Sequence, residues 1–263
     1  MSPVQAALLG ALQGLTEFLP ISSSAHLFAV PALLGWPYAG LAFDVALHWG
    51  TLFALLIAFW RDWLDLLARL FSPEDRVRRE ALSIWGRLAA GSVPAAIAGL
   101  LLKGVAETHL RALPLQAAML AVFGFLLWWV DRIAPKGRET RIPGWSACLL
   151  IGTAQAVALV PGVSRSGITI TAGRAAGLDR VSAARFSFLL GTPITFGAGL
   201  LELRGAPPDL FTWTVGLGVL TSAVFGLIAI RGLIRWVSRA GFGVFFVYRL
   251  ALAALLLFAF TSR

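Results

Sequence analysis

The chain has 263 residues, of which 58% are hydrophobic and only 13% charged, with a formal net charge of +9. Soluble domains carry about 25% charged residues, so the composition excludes an ordinary soluble domain and indicates a membrane protein. The single cysteine, Cys148, excludes an internal disulfide and a cysteine-based metal site. No nucleic acid partner is expected, because arginines in a membrane chain mark its cytoplasmic loops.

The first apolar segment, residues 3–35, is interrupted in its middle by Pro20 and a run of serines. Gln13 and Glu17 precede the interruption, and their spacing of four residues puts them on one helix face. Broken backbone at membrane depth is tolerated only inside protein or beside a wet cavity. The segment is therefore predicted to be a re-entrant helix–loop–helix hairpin. Glu17 is a functional candidate because an ionisable residue inside the bilayer is costly.

The serines after Pro20 are predicted to cap a second half-helix, with His26 in its first turn near Ser22 and Ser23. For one of these serines taken alone, the simplest interpretation is that it caps the helix. The whole cluster next to Glu17 instead indicates a site, because it supplies a base or metal ligand, hydroxyl groups and a proton carrier.

Six complete transmembrane spans are predicted from apolar runs of suitable length. They cover residues 39–60, 88–106, 114–131, 184–202, 211–231 and 243–261. Early in the first span, His48 and Asp44 are predicted to support the site from behind. Sixteen of the 22 Lys and Arg residues fall in four alternate connections: 61–87, 132–141, 174–185 and 231–239. These connections are predicted to be cytoplasmic, which puts both chain ends outside.

The second interrupted segment, residues 144–173, contains the sequence PGVSRSG and is also predicted to be a re-entrant hairpin. Arg165 offers a planar guanidinium that suits phosphate oxygens, and glycines let the backbone approach an anion closely. The loop and the helix after it are predicted to bind a phosphate. The further candidate contacts to the diphosphate are Gly162, Ser164, Ser166 and Thr169 here and Ser22 in the first interrupted segment. Alternatively Arg165 pairs with a buried acid, with Glu17 as the candidate, and such a pair would define an empty site.

An internal repeat relates the two interrupted segments, because residues 9–24 resemble residues 151–166 with a one-residue gap. Each half then has one hairpin and three spans. Because three is an odd number of crossings, the second half starts on the opposite side of the membrane and is inverted relative to the first. The predicted fold is an all-α polytopic membrane protein, a single membrane domain of residues 1–263. Its inverted-topology repeats cover about residues 1–131 and 144–263.

The stretches QGLTEFLPISSSAH and PGVSRSGIT resemble the two signature motifs of the undecaprenyl-pyrophosphate phosphatases, the bacterial bacitracin-resistance membrane proteins. The resemblance extends over essentially the whole chain. It includes the stretches AFDVALHWGTLFAL, GSVPAAIAGLL, FSFLLGTPI and FGLIAIRGLIRWVSRAGFGVFFVYRL. One position departs from the commoner pattern: Gln13 stands where many members have a first Glu. This weakens any scheme in which two carboxylates bind a metal here.

The resemblance implies hydrolysis of undecaprenyl diphosphate to undecaprenyl phosphate and inorganic phosphate, which recycles the lipid carrier of peptidoglycan synthesis and confers bacitracin resistance. It implies a divalent cation, Mg²⁺ or Ca²⁺, with Glu17 and Gln13 as candidate ligands. It also implies a site open to the outer, periplasmic face of the bacterial cytoplasmic membrane, with the lipid tail in the bilayer. A homodimer is compatible with the sequence.

The predicted catalytic residues are Glu17, Ser23, His26 and Arg165. The nucleophile is either Ser23 or a water activated by Glu17, with His26 moving the proton. The main alternative is a transporter or flippase for a lipid phosphate, since inverted repeats with broken helices are also transporter architecture. An intramembrane serine hydrolase would leave Arg165 without a role. A second lipid-phosphatase family requires a histidine where Thr171 stands.

Overall fold

The computed structural model describes residues 1–108, 110, 112–135, 137–140, 142–204 and 212–261. Within these residues the chain forms eleven α-helices and no β-strand. Six of the helices are long and apolar enough to cross a membrane. The predicted class, an all-α protein with several membrane spans, is confirmed at this level.

The six long helices carry the candidate spans. They are α3 (Leu41–Ala58), α5 (Asp75–Thr108), α6 (Leu113–Ile133), α9 (Arg180–Leu203), α10 (Trp213–Val237) and α11 (Gly243–Thr261). The shorter helices are α1 (Pro3–Phe18), α2 (Ser23–Leu34), α4 (Trp60–Leu70), α7 (Trp145–Ala156) and α8 (Arg165–Ala175). A 3₁₀ turn, Val157–Leu159, follows α7. The predicted span 211–231 starts at residue 211, which lies outside the described residues.

The largest departure from the predicted layout lies in residues 61–87, which were expected to form a solvated loop. They form α4 and the first turns of α5, which begins well before the predicted residue 88. The high charge of this stretch concealed an amphipathic helix. On α4, Leu66 is buried whereas Leu64 and Leu67 remain exposed on another face. Such a helix suits the boundary between a bilayer and water.

Both interrupted segments consist of two short helices, and the breaks lie where the sequence places them. In the first segment α1 ends at Phe18 and α2 begins at Ser23. In the second, α8 begins at Arg165. Each of these helices is shorter than the roughly 20 residues that a membrane crossing requires. The re-entrant course of the segments and the inverted relation of the two halves stay predictions.

Helix α1 is held by close packing on α10. Side chains at Gly10 and Gly14 would collide with the α10 backbone at Gly218 and Ser222. Small residues let two helix backbones approach to this distance, as in membrane helix pairs. At the end of α1, Phe18 is fully buried in the main apolar core. This packing fixes the helix end that carries the acidic candidate residue.

Helix α8 is anchored at its far end by a buried ion pair. Arg174 Nε donates to Asp131 Oδ1 at 2.9 Å, and Arg174 Nη1 donates to the carbonyl oxygen of Leu178 at 2.6 Å. Arg180 donates to the same carboxylate at 2.8 Å. The network joins α6, α8 and the start of α9, so it fixes the orientation in which α8 presents its N-terminal residues.

Candidate functional site

Glu17 is the centre of a hydrogen-bonded cluster between the two interrupted segments. Its Oε1 accepts a hydrogen bond from Arg165 Nη2 at 2.6 Å, across 148 residues of sequence. Its Oε2 accepts from Ser23 Oγ at 2.6 Å and from Gln13 Nε2 at 3.2 Å. The pairing of Arg165 with Glu17 that the sequence suggested is therefore confirmed, and both side chains are largely buried.

The cluster opens into a cavity of about 270 Å³. Polar and apolar side chains both line it, as an amphiphilic ligand requires. The polar lining residues are Glu17, Ser22, Ser23, Ser24, His48, Gln155, Ser164, Arg165 and Thr195. The apolar part of the wall comes from α3, α5, α9 and the 3₁₀ turn: Val45, Ala95, Ala158, Leu159, Ile194, Ala198 and Gly199.

The two serines that precede the second helix of each segment differ in their side-chain bonds. Ser164 caps α8, because its Oγ accepts from the Gly167 N–H at 3.2 Å. Ser22 holds the corresponding position before α2 but makes no such cap, and its Oγ is bonded to Ser24 Oγ at 3.2 Å. The capping role predicted for the serines after Pro20 is therefore wrong for Ser22, whose hydroxyl lies in the cavity wall, whereas Ser164 caps α8 although no cap was predicted there.

Arg165 fits against α9 only because residue 191 is a glycine. A Cβ atom at Gly191 would collide with Arg165 Nη1. That Nη1 atom is buried and has no hydrogen-bond partner among the described residues. Since an unsatisfied buried donor costs free energy, the guanidinium is expected to bind a further acceptor when a ligand enters.

A second buried arginine, Arg249 of α11, joins the two loops. It is fully buried, and its Nη1 donates to the Pro20 carbonyl oxygen at 3.3 Å. Its Nη2 donates to the carbonyl oxygens of Gly162 at 2.8 Å and Val163 at 3.0 Å. Further bonds reach Met119 and Leu120 of α6. The local sequence marks Arg249 only as an ionisable residue inside the last span. Its actual partners are backbone carbonyls.

Three of the predicted phosphate contacts lie behind the cavity wall. The Gly162 carbonyl faces Arg249, and Ser166 Oγ donates to the Leu19 carbonyl oxygen at 3.2 Å. Thr169 is fully buried, and its Oγ1 is bonded to the Arg165 carbonyl oxygen at 2.8 Å and to Ser187 Oγ at 2.6 Å. These side chains hold the loop and α8 together. Among the predicted set, Ser22, Ser164 and Arg165 face the cavity.

His26 lies in the first turn of α2 near Ser22, as predicted, but it is His48 and not His26 that lines the cavity. His26 is buried, with Nδ1 2.7 Å from the Ser22 carbonyl oxygen and Nε2 2.7 Å from the Tyr248 hydroxyl oxygen. His48 instead lines the cavity, and its Nε2 lies 3.5 Å from Glu17 Oε2. The sequence feature that could have identified His48 as a site residue is its position, as an ionisable residue, within a membrane span.

A metal cage made of protein side chains alone does not fit the site. Among the described residues, no three His, Cys, Asp or Glu side chains form a group that could hold an ion. Glu17 already accepts bonds from three side chains, but Gln13 Oε1 is buried without a partner among the described residues. Mg²⁺ often uses one or two protein carboxylates and completes its shell with substrate phosphates and water. Glu17 in the cavity wall and the unpaired Gln13 Oε1 behind it are the atoms that could take part in a shell of that kind.

A larger cavity, about 410 Å³, lies between α4, α5 and α9. Four of its charged side chains are paired with one another: Arg185 donates to Asp62 at 3.1 Å and Arg69 donates to Asp65 at 3.0 Å. The smaller cavity is the better candidate, because it combines a nucleophilic hydroxyl, a carboxylate and a guanidinium donor with no partner.

Comparisons with known proteins match nearly the whole chain. A family model described as bacitracin resistance protein BacA matches residues 6–255. The undecaprenyl-diphosphatase of Pelotomaculum thermopropionicum is 48% identical over 250 residues, which cover 95% of this chain and 94% of the relative. That of Desulforudis audaxviator is 45% identical over 252 residues, 96% and 95% of the two chains. That of Moorella thermoacetica is 44% identical over 264 residues and covers both chains completely.

Proposed function

The chain belongs to the BacA family of bacitracin resistance proteins, and we propose that it hydrolyses undecaprenyl diphosphate to undecaprenyl phosphate and inorganic phosphate. The proposal is supported by relatives of that name that align over nearly the whole chain. The observation that carries it is the arrangement of Arg165, Glu17 and Ser23, joined by two hydrogen bonds of 2.6 Å at the wall of one cavity.

Arg165 is the phosphate-binding group in this proposal. Its Nη1 has no partner among the described residues, and its Nη2 donates to Glu17 Oε1. A diphosphate would accept hydrogen bonds from the guanidinium in the two-pronged geometry that arginine favours. Since phosphoryl transfer depends mostly on positioning and charge stabilisation, this contact is expected to supply a large part of the catalysis.

Two routes for the attack remain, and both use Glu17. In the first, Ser23 Oγ gives its proton to Glu17 Oε2, 2.6 Å away, and attacks the terminal phosphorus. The bond from that phosphorus to the bridging oxygen breaks, undecaprenyl phosphate leaves, and water then hydrolyses the phosphoserine. In the second, Glu17 takes a proton from a water that attacks the same phosphorus directly. A phosphoserine trapped at Ser23 would establish the first route.

The proposal of hydrolysis is tested with purified protein and undecaprenyl diphosphate in detergent micelles. Arg165→Ala is expected to reduce phosphate release at least about 100-fold, the scale of one preorganised donor to a developing charge. Arg185→Ala is the matched control, because Arg185 is also part of an ion pair but lines the other cavity. Near-normal turnover by Arg165→Ala would contradict the phosphate-binding role.

We propose that Mg²⁺ or Ca²⁺ enters with the diphosphate, and that Glu17 and Gln13 Oε1 are its protein ligands. A bound divalent cation would neutralise charge on the phosphate oxygens. Phosphate release in the presence of excess EDTA, followed by titration of each cation, measures the requirement. Full activity in EDTA would remove the cation from the proposal.

The remaining parts of the proposal concern the setting of the reaction. The chain would lie in the bacterial cytoplasmic membrane with both termini and the cavity on the outer side, and with two re-entrant segments in inverted repeats. The alternation of basic connections supports this topology. Cys148 is buried, so single cysteines introduced at the cavity residue Ser24 and at Ser238 can be compared with an impermeant thiol reagent. Only the cysteine at position 24 should react from outside.

Roles in peptidoglycan synthesis and bacitracin resistance follow from this activity and are part of the proposal, as is a homodimer. The alternative is a lipid-phosphate flippase with the same architecture. Release of phosphate in micelles, where there is no membrane to cross, favours the hydrolase. Lipid movement in vesicles by a variant that has lost phosphate release would favour the flippase.

A further inference from the structure

Gln155 is a buried polar residue of α7 with no role in the sequence motifs. Only 2% of its surface is exposed, and it forms part of the wall of the 270 Å³ cavity together with Glu17, Ser23 and Arg165. Neither its Oε1 nor its Nε2 has a hydrogen-bond partner among the described residues. A buried amide with both ends unsatisfied is rare in folded proteins.

The two unsatisfied atoms indicate a ligand and not a structural contact. A buried donor or acceptor left unpaired destabilises the fold, and Gln155 carries one of each. Retaining such a group in a cavity wall weakens the fold unless something else binds it. Arg165 Nη1, in the same wall, is the other unpartnered donor.

We propose that Gln155 contacts the diphosphate directly, with Nε2 donating to a phosphate oxygen and Oε1 accepting from a water bound beside it. This inference rests on the proposed function for the identity of the substrate. Gln155 lies in α7 and Arg165 begins α8, so the two donors come from the two helices of the same interrupted segment. Arg165 Nη1 and Gln155 Nε2 have no hydrogen-bond partner among the described residues, so binding the anion would satisfy both donors together.

The Gln155→Met variant separates this role from a structural one. Methionine has a similar length and no hydrogen-bonding amide, so removing two unsatisfied polar atoms should leave the melting temperature equal or raise it. The loss of a hydrogen bond to a charged group should lower kcat/KM about 10- to 100-fold. A residue with a merely structural role would show the opposite pattern, a lower melting temperature with a nearly normal kcat/KM.

Inorganic pyrophosphate supplies a readout that does not require turnover. A ligand that binds the folded state raises its stability in proportion to its affinity, so pyrophosphate should raise the melting temperature of the wild-type protein. The shift should be strongly reduced in Gln155→Met and smaller still in Gln155→Glu, because a carboxylate keeps the side-chain size but repels the anion. Gln116→Met, which changes a buried glutamine of α6, is the matched control and should keep the wild-type shift.

The outcomes distinguish the two proposals. If the wild-type protein releases no phosphate from undecaprenyl diphosphate, the proposed function fails, while the pyrophosphate shift still tests Gln155. If Gln155→Met keeps both the shift and the wild-type kcat/KM, the proposed contact is wrong. Should that variant not fold, Gln155→Glu decides, because a wild-type shift in this nearly isosteric variant would equally overturn the contact.

Discussion

Ser22 and Ser164 share the same unusual backbone conformation, each with φ of 73° immediately before the second helix of its segment. Among the described residues, they alone have positive φ without being glycine. Left-handed conformations cost a residue with a Cβ atom about 1–2 kcal/mol, and such strain concentrates at functional sites. Both serines line the cavity. Their backbone conformation therefore orients their side chains, and the first residues of the helices that follow, toward the site.

Replacing each strained serine by glycine should affect stability differently at the two positions. Ser22→Gly removes the strain without removing a helix cap, so a higher melting temperature is expected. Ser164→Gly also removes the cap to the Gly167 N–H, which costs about a few tenths of a kcal/mol when glycine replaces a serine cap, so this variant should be stabilised less than Ser22→Gly. Thermal unfolding of both variants measures the difference. Equal stabilisation by the two substitutions would contradict the assigned capping roles.

Gly191→Ala should displace Arg165 and lower activity with little loss of stability. The added Cβ collides with the end of a flexible side chain, which can move, and not with backbone. Arg165 would then lose its position against Glu17, and phosphate release should fall about tenfold or more, as for a lost hydrogen bond between charged groups. Kinetics and melting temperature are measured together.

Gly232→Ala on α10 is the control for that substitution. A Cβ at Gly232 meets no atom within 4 Å, and alanine favours helix over glycine by about 1 kcal/mol. This variant should be slightly more stable and fully active. If Gly191→Ala behaves in the same way, Arg165 does not depend on the space that Gly191 leaves.

Arg249→Lys is expected to impair the site through the positions of both loops. The guanidinium bonds carbonyl oxygens of Pro20, Gly162 and Val163 at once, whereas an ammonium group cannot span them. We expect kcat to fall more than KM rises, because the loops that carry Ser23 and Arg165 would lose their relative alignment.

The size of the Arg249 effect can be compared with that of another buried arginine. Arg174 is equally enclosed but bonds Asp131 at the far end of α8. Arg174→Lys should mainly lower the melting temperature. If Arg249→Lys lowers stability alone and leaves kcat unchanged, the connection between the loops is structural only.

The two histidines should respond differently to substitution. His48 lines the cavity and lies 3.5 Å from Glu17, so His48→Ala should lower activity at least about tenfold with little change in stability. His26 joins the Ser22 carbonyl to Tyr248, so His26→Ala should lower activity and melting temperature together. Tyr248→Phe removes one of these bonds and should reproduce part of the His26 effect. Normal stability of an inactive His26→Ala variant would instead support the predicted proton transfer.

The sequence alone determined the class of the protein, the order of its apolar segments and the two places where they break. Each of these features depends on local composition: apolar runs set the helices, and Pro20 or Pro161 with adjacent serines ends them. The motif residues Glu17 and Arg165 were also identified in this way, and their contact across 148 residues was anticipated as one alternative.

Only the tertiary structure decided which atoms face the cavity. Whether a loop residue faces a ligand depends on contacts with residues far away in the sequence, and a local sequence pattern does not predict those contacts. Arg249 draws the Gly162 carbonyl away from the cavity, and Thr169 is bonded to Ser187 of α9. Conversely, helix packing brings His48 and Gln155 into the wall. The sequence therefore identified the two loops of the site, and the tertiary structure determined which side chains line the cavity.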